Sequence, residues 1–295
     1  MTAVVLWFLA GVLAARGVPR SRAAVPVLHG WVVNVALPAL VLVKVPRLAW
    51  GASSVVPVAV AWSVVAAGAL GVPLLSRRLG WSPAVTGSMM LLVPLGNTSF
   101  LGLPVVENLL GVDRVPAALA FDQLGTFLAL ATYGAWVTAR AGAGTVDAVA
   151  VLRRVVGFPP FVALVASVAL RRWHLPGAVD DVLAALGRTV APVAMLATGL
   201  RLVLGSVRGH AVTVSVGLGL KMVLLPGLVA LATVLVGDPS SPEWQAAMLE
   251  SAMPPMVTAG VVAARAGFDE EVASSMVAVG TLLAIAAATV ASFVT

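Results

Sequence analysis

The stretch MMLLVPLGNTSFLGLP, from Met89 to Pro104, decides the fold, because it is apolar enough to lie in a membrane and yet cannot be one continuous helix. Pro94 has no backbone N–H and clashes with the preceding turn, and Gly96 permits backbone angles that other residues avoid. We therefore predict two half-helices, 84–93 and 98–111, separated by a short break.

The break itself is polar. Asn97, Thr98 and Ser99 are residue types that cap helix starts, and we expect them to cap the second half-helix. Inside hydrocarbon, free backbone groups are tolerated only where protein or water receives them, so the break is expected to line a cavity.

A second break is predicted in ESAMPPMVT, residues 250–258, again inside an apolar run. Pro94 and Pro254 lie 160 residues apart. Two interrupted spans in corresponding positions of two halves indicate a transporter binding site at an inverted-repeat interface. The alternative is that these prolines and glycines merely kink ordinary membrane helices.

Composition restricts the function classes. With 60% hydrophobic and 10% charged residues over 295 residues, and a mean hydropathy of +1.05, the chain is predicted to be an all-α, multi-pass membrane protein. The net charge of +6 comes from basic residues in short loops, which indicates membrane orientation rather than nucleic-acid binding. Cysteine is absent, and the three histidines lack metal-ligand spacing, so thiol, disulfide and metal chemistry are not expected.

Apolar segments predict ten transmembrane helices. Residues 1–139 and 155–295 form two five-helix repeats joined by a linker at 140–154, and an odd number of spans per repeat makes the repeats inverted. The first span is short and shows no signal-peptide cleavage site. The predicted spans are 2–15, 26–45, 54–75, 84–111, 116–139, 155–172, 178–204, 212–236, 243–266 and 272–294.

Basic residues predict the orientation. One set of loops carries eleven arginines and the other set four, so the richer set is expected in the cytoplasm and both termini outside. The richer set is Arg16, Arg20, Arg22, Arg77, Arg78, Arg140, Arg153, Arg154, Arg201, Arg208 and Arg265. The other set is Arg47, Arg114, Arg171 and Arg172.

Ionisable groups at membrane depth are costly, so each is a functional hypothesis. Glu250 lies one helical turn before the second break, and Asp122 shares a helix face with Thr126, next to Gln123. Their oxygens suit a coupling sodium ion, and a buried carboxylate suits a proton instead. The alternative for both acids is a structural ion pair or cap.

Half-helix starts carry unpaired N–H groups and favour anions, so a small organic anion such as a carboxylate is the predicted substrate. Arg188 and Lys221 could assist it, or instead snorkel or pair with an acid. Asn34 and Thr198 are predicted cavity residues, with an ordinary interhelical hydrogen bond as the alternative. The predicted substrate and crossover residues are Asn34, Pro94, Gly96, Asn97, Thr98, Ser99, Pro254, Pro255 and Thr258.

These motifs resemble the auxin efflux carrier family over nearly the whole chain. The resemblance lies in Asn34-x3-Pro38, in Gly96–Pro104, in Asp122–Thr126, in Ala191–Gly199 and in Ala252–Pro255. It implies ten spans in two inverted repeats, with spans 4 and 9 crossing at their breaks. It also implies a transport core of spans 3, 4, 5, 8, 9 and 10 that moves against a scaffold of spans 1, 2, 6 and 7, in an elevator-type alternating access.

The resemblance extends to bile acid sodium symporters, which share the fold and bind sodium through a glutamate just before the ninth-span break. Glu250 occupies the similar place, whereas plant auxin carriers lack that acid, so the resemblance leaves the coupling ion open. Related carriers form dimers, so the resemblance makes a homodimer one possible assembly, although the chain itself identifies no interface. The excess of arginine over lysine is typical of bacteria, so we expect a bacterial inner (plasma) membrane.

The sequence therefore predicts a secondary transporter of a small organic anion, with no cofactor other than sodium in the case of symport. One alternative is a sodium symporter of larger amphipathic anions, such as bile-acid-like compounds. A membrane sensor and an intramembrane enzyme are the remaining alternatives. No output domain supports the first of these, and no catalytic spacing supports the second.

Overall fold

The computed structural model describes residues 2–47, 55–141, 149, 152–153, 156–169, 176–201 and 209–294. These residues form helices and, apart from one isolated bridge, no β-structure, so the predicted all-α class is confirmed. The main helices are α1 (Thr2–Gly17), α2 (Val25–Lys44), α3 (Val55–Leu79), α4 (Pro83–Leu92), α5 (Thr98–Leu110), α6 (Val112–Arg140), α7 (Pro159–Ala169), α8 (Gly177–Leu200), α9 (Ala211–Val236), α10 (Pro242–Ser251), α11 (Val257–Arg265) and α12 (Glu270–Val294).

Six helices of the described residues are long and apolar enough to cross a membrane, namely α2, α3, α6, α8, α9 and α12. Helices α1, α4, α5 and α7 are apolar but shorter. Most of the predicted linker 140–154 lies outside the described residues, as do Arg154, Arg171, Arg172 and Arg208. The orientation predicted from the arginines therefore stays a prediction.

The first break falls where the sequence predicts it, since α4 ends at Leu92 and α5 begins at Thr98. The second break separates the end of α10 at Ser251 from the start of α11 at Val257. A shift of 159 residues carries all of α4 onto α10, and the start of α5 onto the start of α11. The helices are thus offset by 159 residues and not by the 160 that separate Pro94 from Pro254, because these two prolines occupy different places in the two breaks.

Helices α4 and α10 begin in the same way. In each, a serine side chain accepts a hydrogen bond from the backbone N–H three residues later, and a proline follows at the first helical position. The serines are Ser82 and Ser241. Proline is favoured at this position because its missing N–H would be unpaired anyway. The same start and the same length of ten residues make the two short helices local copies of each other.

Buried apolar side chains form two large clusters. One joins α1, α2, α7 and α8 to α5, the start of α6, Ala246 of α10 and the C-terminal part of α12. The other joins α3, α4, α9, α11 and the N-terminal part of α12 to the rest of α6 and to Ala247 of α10. Helices α1 and α8 pack closely through Gly11 and Gly199, where an added Cβ atom would overlap the backbone of the facing helix. Small residues allow this close approach of membrane helices.

Four helices contain π-helical segments in which polar side chains are found. The segments are Val32–Ala36 in α2, Thr98–Gly102 in α5, Phe121–Phe127 and Leu130–Gly134 in α6, and Leu220–Leu224 in α9. A π-helical turn is wider than an α-helical turn, so the side chains that follow it lie on a different face of the helix. Such turns are frequent at functional sites. These segments hold Asn34, Thr98, Ser99, Asp122 and Lys221.

Candidate functional site

The two helix breaks meet each other through their backbones. The N–H of Asn97 donates to the carbonyl of Pro254 at 2.7 Å, and the N–H of Met256 donates to the carbonyl of Leu95 at 2.9 Å. The pair surrounds an antiparallel bridge between Gly96 and Pro255. Each break therefore supplies the hydrogen-bond partners that the other one needs in the absence of water.

This crossing obeys the same shift as the helices around it. A shift of 159 residues relates Leu95 to Pro254 and Asn97 to Met256. The two hydrogen bonds therefore occupy equivalent positions, and each corresponds to the other. An antiparallel pair that maps onto itself in this way has a local two-fold axis. The crossing lies at that axis, between the ends of α4 and α10 and the starts of α5 and α11.

The predicted capping of α5 by side chains is wrong. Asn97 stands at the cap position, but its side chain makes no capping hydrogen bond, and its buried Nδ2 has no partner. The hydroxyls of Thr98 and Ser99 donate instead to Asp122. A buried carboxylate is a stronger acceptor than a neutral group, and it draws both hydroxyls toward α6.

Asp122 is fully buried and saturated with donors. Its Oδ1 accepts from Thr98 Oγ1 at 2.5 Å, and both its oxygens lie 2.6 Å from Ser99 Oγ. Gln123 Nε2 donates to Oδ2 at 2.6 Å, while its own buried Oε1 has no partner. Thr126 is buried one turn further along. These bonds join the first turn of α5 to the π-helical turn of α6.

Glu250 is also fully buried, but neither of its carboxylate oxygens has a hydrogen-bond partner. The carboxylate lies against the backbone of α5 at Gly102, where an added Cβ atom would overlap it. Because only glycine leaves this space, Gly102 determines where the acid can sit.

Lys221 joins this group, a role that its sequence position left open. It is 1% exposed, and its Nζ donates to the carbonyl of Ser251 at 3.2 Å. A Cβ atom on Gly96 would lie 3.2 Å from the same Nζ, so the ammonium lies against the crossing. Ser251 follows Glu250 in the chain, so the ammonium lies on the same turn of α10 as that acid. The position of Lys221 within a long apolar segment indicated that it is buried. Its hydrogen-bond partner could be identified only from the tertiary structure.

Other predicted residues lie elsewhere. Asn34 is exposed, donates to the carbonyl of Gly30 at 2.7 Å, and lines a cavity of about 420 Å³. Arg188 is exposed and lines a cavity of about 240 Å³ with Lys44 and Glu107. Thr258 is exposed in the first turn of α11.

A cavity of about 350 Å³ lies between α8, α11 and α12 and reaches the start of α11 at Val257. Thr198 and Thr281 line it among mainly apolar residues. Both are buried, and the hydroxyl of Thr281 has no partner. Thr198 therefore lines a cavity, as predicted, although its hydroxyl donates within its own helix to the carbonyl of Ala194.

Apolar helices long enough to cross a bilayer, two helix breaks that meet, and charges buried at their meeting point define a multi-pass membrane transporter. The chain belongs to the family described as membrane transport protein, whose family model matches residues 1–292. The predicted membership of the auxin efflux carrier family is thereby confirmed.

Two relatives agree with this assignment. An uncharacterized transporter of Methanothermobacter thermautotrophicus is 26% identical over 289 residues, which cover 97% of this chain and 93% of that protein. An uncharacterized transporter of Methanocaldococcus jannaschii is 30% identical over 121 residues, which cover 39% of this chain and 38% of that protein. The family and these relatives indicate a transporter and not an enzyme.

Proposed function

We propose that this chain is a secondary carrier of a small organic anion that works by elevator-type alternating access. The observation that carries the proposal is the crossing of two helix breaks beside three buried charged groups. Where half-helices start at membrane depth, their N-terminal N–H groups and positive dipole ends attract an anionic substrate. Here those starts are Thr98 and Val257.

The proposed architecture is ten spans in two inverted repeats, 1–139 and 155–295. Its support is the shift of 159 residues that relates α4 to α10 and exchanges the two backbone hydrogen bonds of the crossing. In the proposal, the scaffold is α1, α2, α7 and α8, and the remaining helices move as the transport core. The protein would lie in the plasma membrane as a homodimer, with both termini outside the cytoplasm.

The substrate is proposed to bind where the scaffold and the core face each other. The cavity between α8, α11 and α12 fits this position, since Thr198 belongs to the scaffold, while Val257 and Thr281 belong to the core. A volume of about 350 Å³ is at the small end of ligand pockets, which favours a small anion. Glu250 is the proposed coupling residue, and Asp122, Gln123 and Thr126 are proposed to assist it. The proposed coupling ion is sodium or a proton.

The test is flux across sealed proteoliposomes. Purified protein would be challenged with a panel of dicarboxylates, monocarboxylates, indole-acetate and bile acids, and both membrane currents and labelled uptake would be recorded. We expect uptake of one class of small carboxylate, and loss of that uptake in Asn97→Ala. Absence of uptake for every anion in both assays, from protein that is folded, would reject the carrier assignment.

A further inference from the structure

The described part of the chain buries three charged residues, and all three lie around the crossing: Asp122, Glu250 and Lys221. Two are acids and one is a base, so the buried group includes its own cation. Burying an isolated carboxylate at this depth is unfavourable, and a nearby opposite charge offsets part of that desolvation cost. The ammonium of Lys221 supplies a nearby opposite charge, since it binds the carbonyl of Ser251, the residue that follows Glu250.

Lys221 also occupies the backbone position that a coupling cation would use. In transporters with broken helices, carbonyls at the C-terminal ends of half-helices coordinate the ion. Ser251 is the last residue of α10, and its carbonyl accepts from Lys221 Nζ at 3.2 Å. This end of the helix carries the negative end of the dipole, which favours a cation there.

The resemblance to sodium symporters implies a sodium ion at Glu250, but the surrounding residues fit that ion poorly. Sodium needs several oxygen ligands. The oxygens of Asp122 already accept from three side chains, and the carbonyl of Ser251 already binds the ammonium. A second positive charge beside Lys221 would be repelled by it in a low-dielectric site.

We propose that the Lys221 ammonium is a tethered cation that takes the place of a coupling sodium ion at the crossing, so that the wild-type protein binds no sodium there and, of the two coupling ions named above, only the proton remains. The inference rests on the proposed function only in treating the crossing as the ion site of a carrier. Removing the ammonium while keeping Glu250 leaves an uncompensated carboxylate and a free carbonyl. The two carboxylate oxygens and that carbonyl would then bind sodium from solution.

The experiment measures sodium binding without any substrate. Full-length protein in lipid nanodiscs is unfolded by heat in sodium chloride or choline chloride at equal ionic strength. We expect no sodium-specific shift of Tm for the wild type and a saturable rise of about 3 °C for Lys221→Met. Adding Glu250→Gln to Lys221→Met should abolish the rise. Lys221→Arg, which keeps the charge, and Lys44→Met, which removes the only other lysine of the chain, should behave like the wild type.

A sodium-specific shift in the wild type would overturn the proposal, and so would its absence in folded Lys221→Met. Each variant is prepared in both salts. Recovery of folded Lys221→Met only in sodium supports the proposal, whereas loss in both salts overturns it. Because the readout needs no transported anion, a negative flux assay leaves this result unaffected.

Discussion

Asp122 and Glu250 are both fully buried acids beside the same crossing, and their surroundings are opposite. Asp122 accepts hydrogen bonds from three side chains, whereas Glu250 accepts none. A carboxylate saturated with donors is fixed in one geometry and helps to hold the fold. A carboxylate without donors keeps its acceptor capacity for a cation or a proton. The difference indicates that burial alone does not identify a functional acid, and that its partners must be known.

The largest expected effect on stability is that of Asp122→Asn. The amide keeps one acceptor oxygen, but its NH₂ group faces side chains that donate hydrogen bonds to Asp122 in the wild type. The hydrogen bonds that join α5 to α6 are therefore disrupted. We expect the free energy of unfolding to fall by about 3 kcal/mol, as for loss of hydrogen bonds to a buried charge. Chemical unfolding in detergent micelles measures it, with the exposed acid variant Asp113→Asn as control. Equal stability of Asp122→Asn and wild type would show that the two acids do not differ in this way.

Gly102→Ala tests the position of Glu250 from the facing helix. The methyl group overlaps the Glu250 carboxylate, and we expect a loss of about 2 kcal/mol, typical of overpacking, together with loss of transport. Gly71→Ala is the matched control, because nothing lies within 4 Å of that added atom. Combining Gly102→Ala with Glu250→Ala should restore stability, while combining it with Glu250→Gln should not. Full transport by Gly102→Ala would mean that the acid can sit elsewhere.

Asn97→Ala should separate function from stability. Since the Asn97 side chain makes no capping bond, its removal should cost about 0.5 kcal/mol or less, below the usual loss for a helix cap. We nevertheless expect transport to be lost, because its unpartnered Nδ2 lies at the start of α5, where the anion is proposed to bind. Labelled uptake and thermal unfolding, measured on the same preparation, test whether transport is lost while stability is kept. Asn34→Ala, which removes an exposed asparagine, is measured alongside it. Strong destabilisation of Asn97→Ala would assign the amide a structural role instead.

Glu250→Gln should have the smallest effect on stability. No hydrogen bond to the carboxylate is lost, and the Lys221 ammonium keeps its hydrogen bond to the carbonyl of Ser251, so we expect the free energy of unfolding to stay within about 0.5 kcal/mol of the wild type. Any dependence of uptake on pH or cations should vanish. The measurement is uptake over a pH series, with and without sodium. Uptake that keeps its ion dependence in Glu250→Gln would locate coupling elsewhere.

The positions of the breaks could be predicted from sequence because they follow from local chemistry. Pro94, Gly96 and the Pro254-Pro255 pair oppose a continuous helix wherever they stand in the fold. Burial of Asp122 and Glu250 could also be predicted, since both lie within long apolar runs. The partners could not. The two hydroxyls of α5 bind an acid 23 and 24 residues away, and Lys221 reaches a carbonyl 30 residues away, so both contacts depend on tertiary packing.

The direction in which a side chain points was also difficult to predict from the sequence. A regular α-helix assigns each residue to a face by its spacing, but the π-helical turns at Phe121–Phe127 and Leu220–Leu224 change that assignment. The role of Lys221 was therefore open from its position alone. The prediction of side-chain capping failed for a related reason, because the competing acceptor belongs to another helix.

The local symmetry of the crossing has a consequence for protein engineering. The two hydrogen bonds that close it join backbone groups, so they place little restriction on the side chains around them. At equivalent positions 159 residues apart, the first break has Asn97 and Thr98 where the second has Met256 and Val257, and Leu91 stands where Glu250 does. Each break thus carries polar groups that the other lacks. A chain engineered to carry two copies of one break would keep the two backbone hydrogen bonds, but it would lack either Glu250 or the pair Asn97 and Thr98.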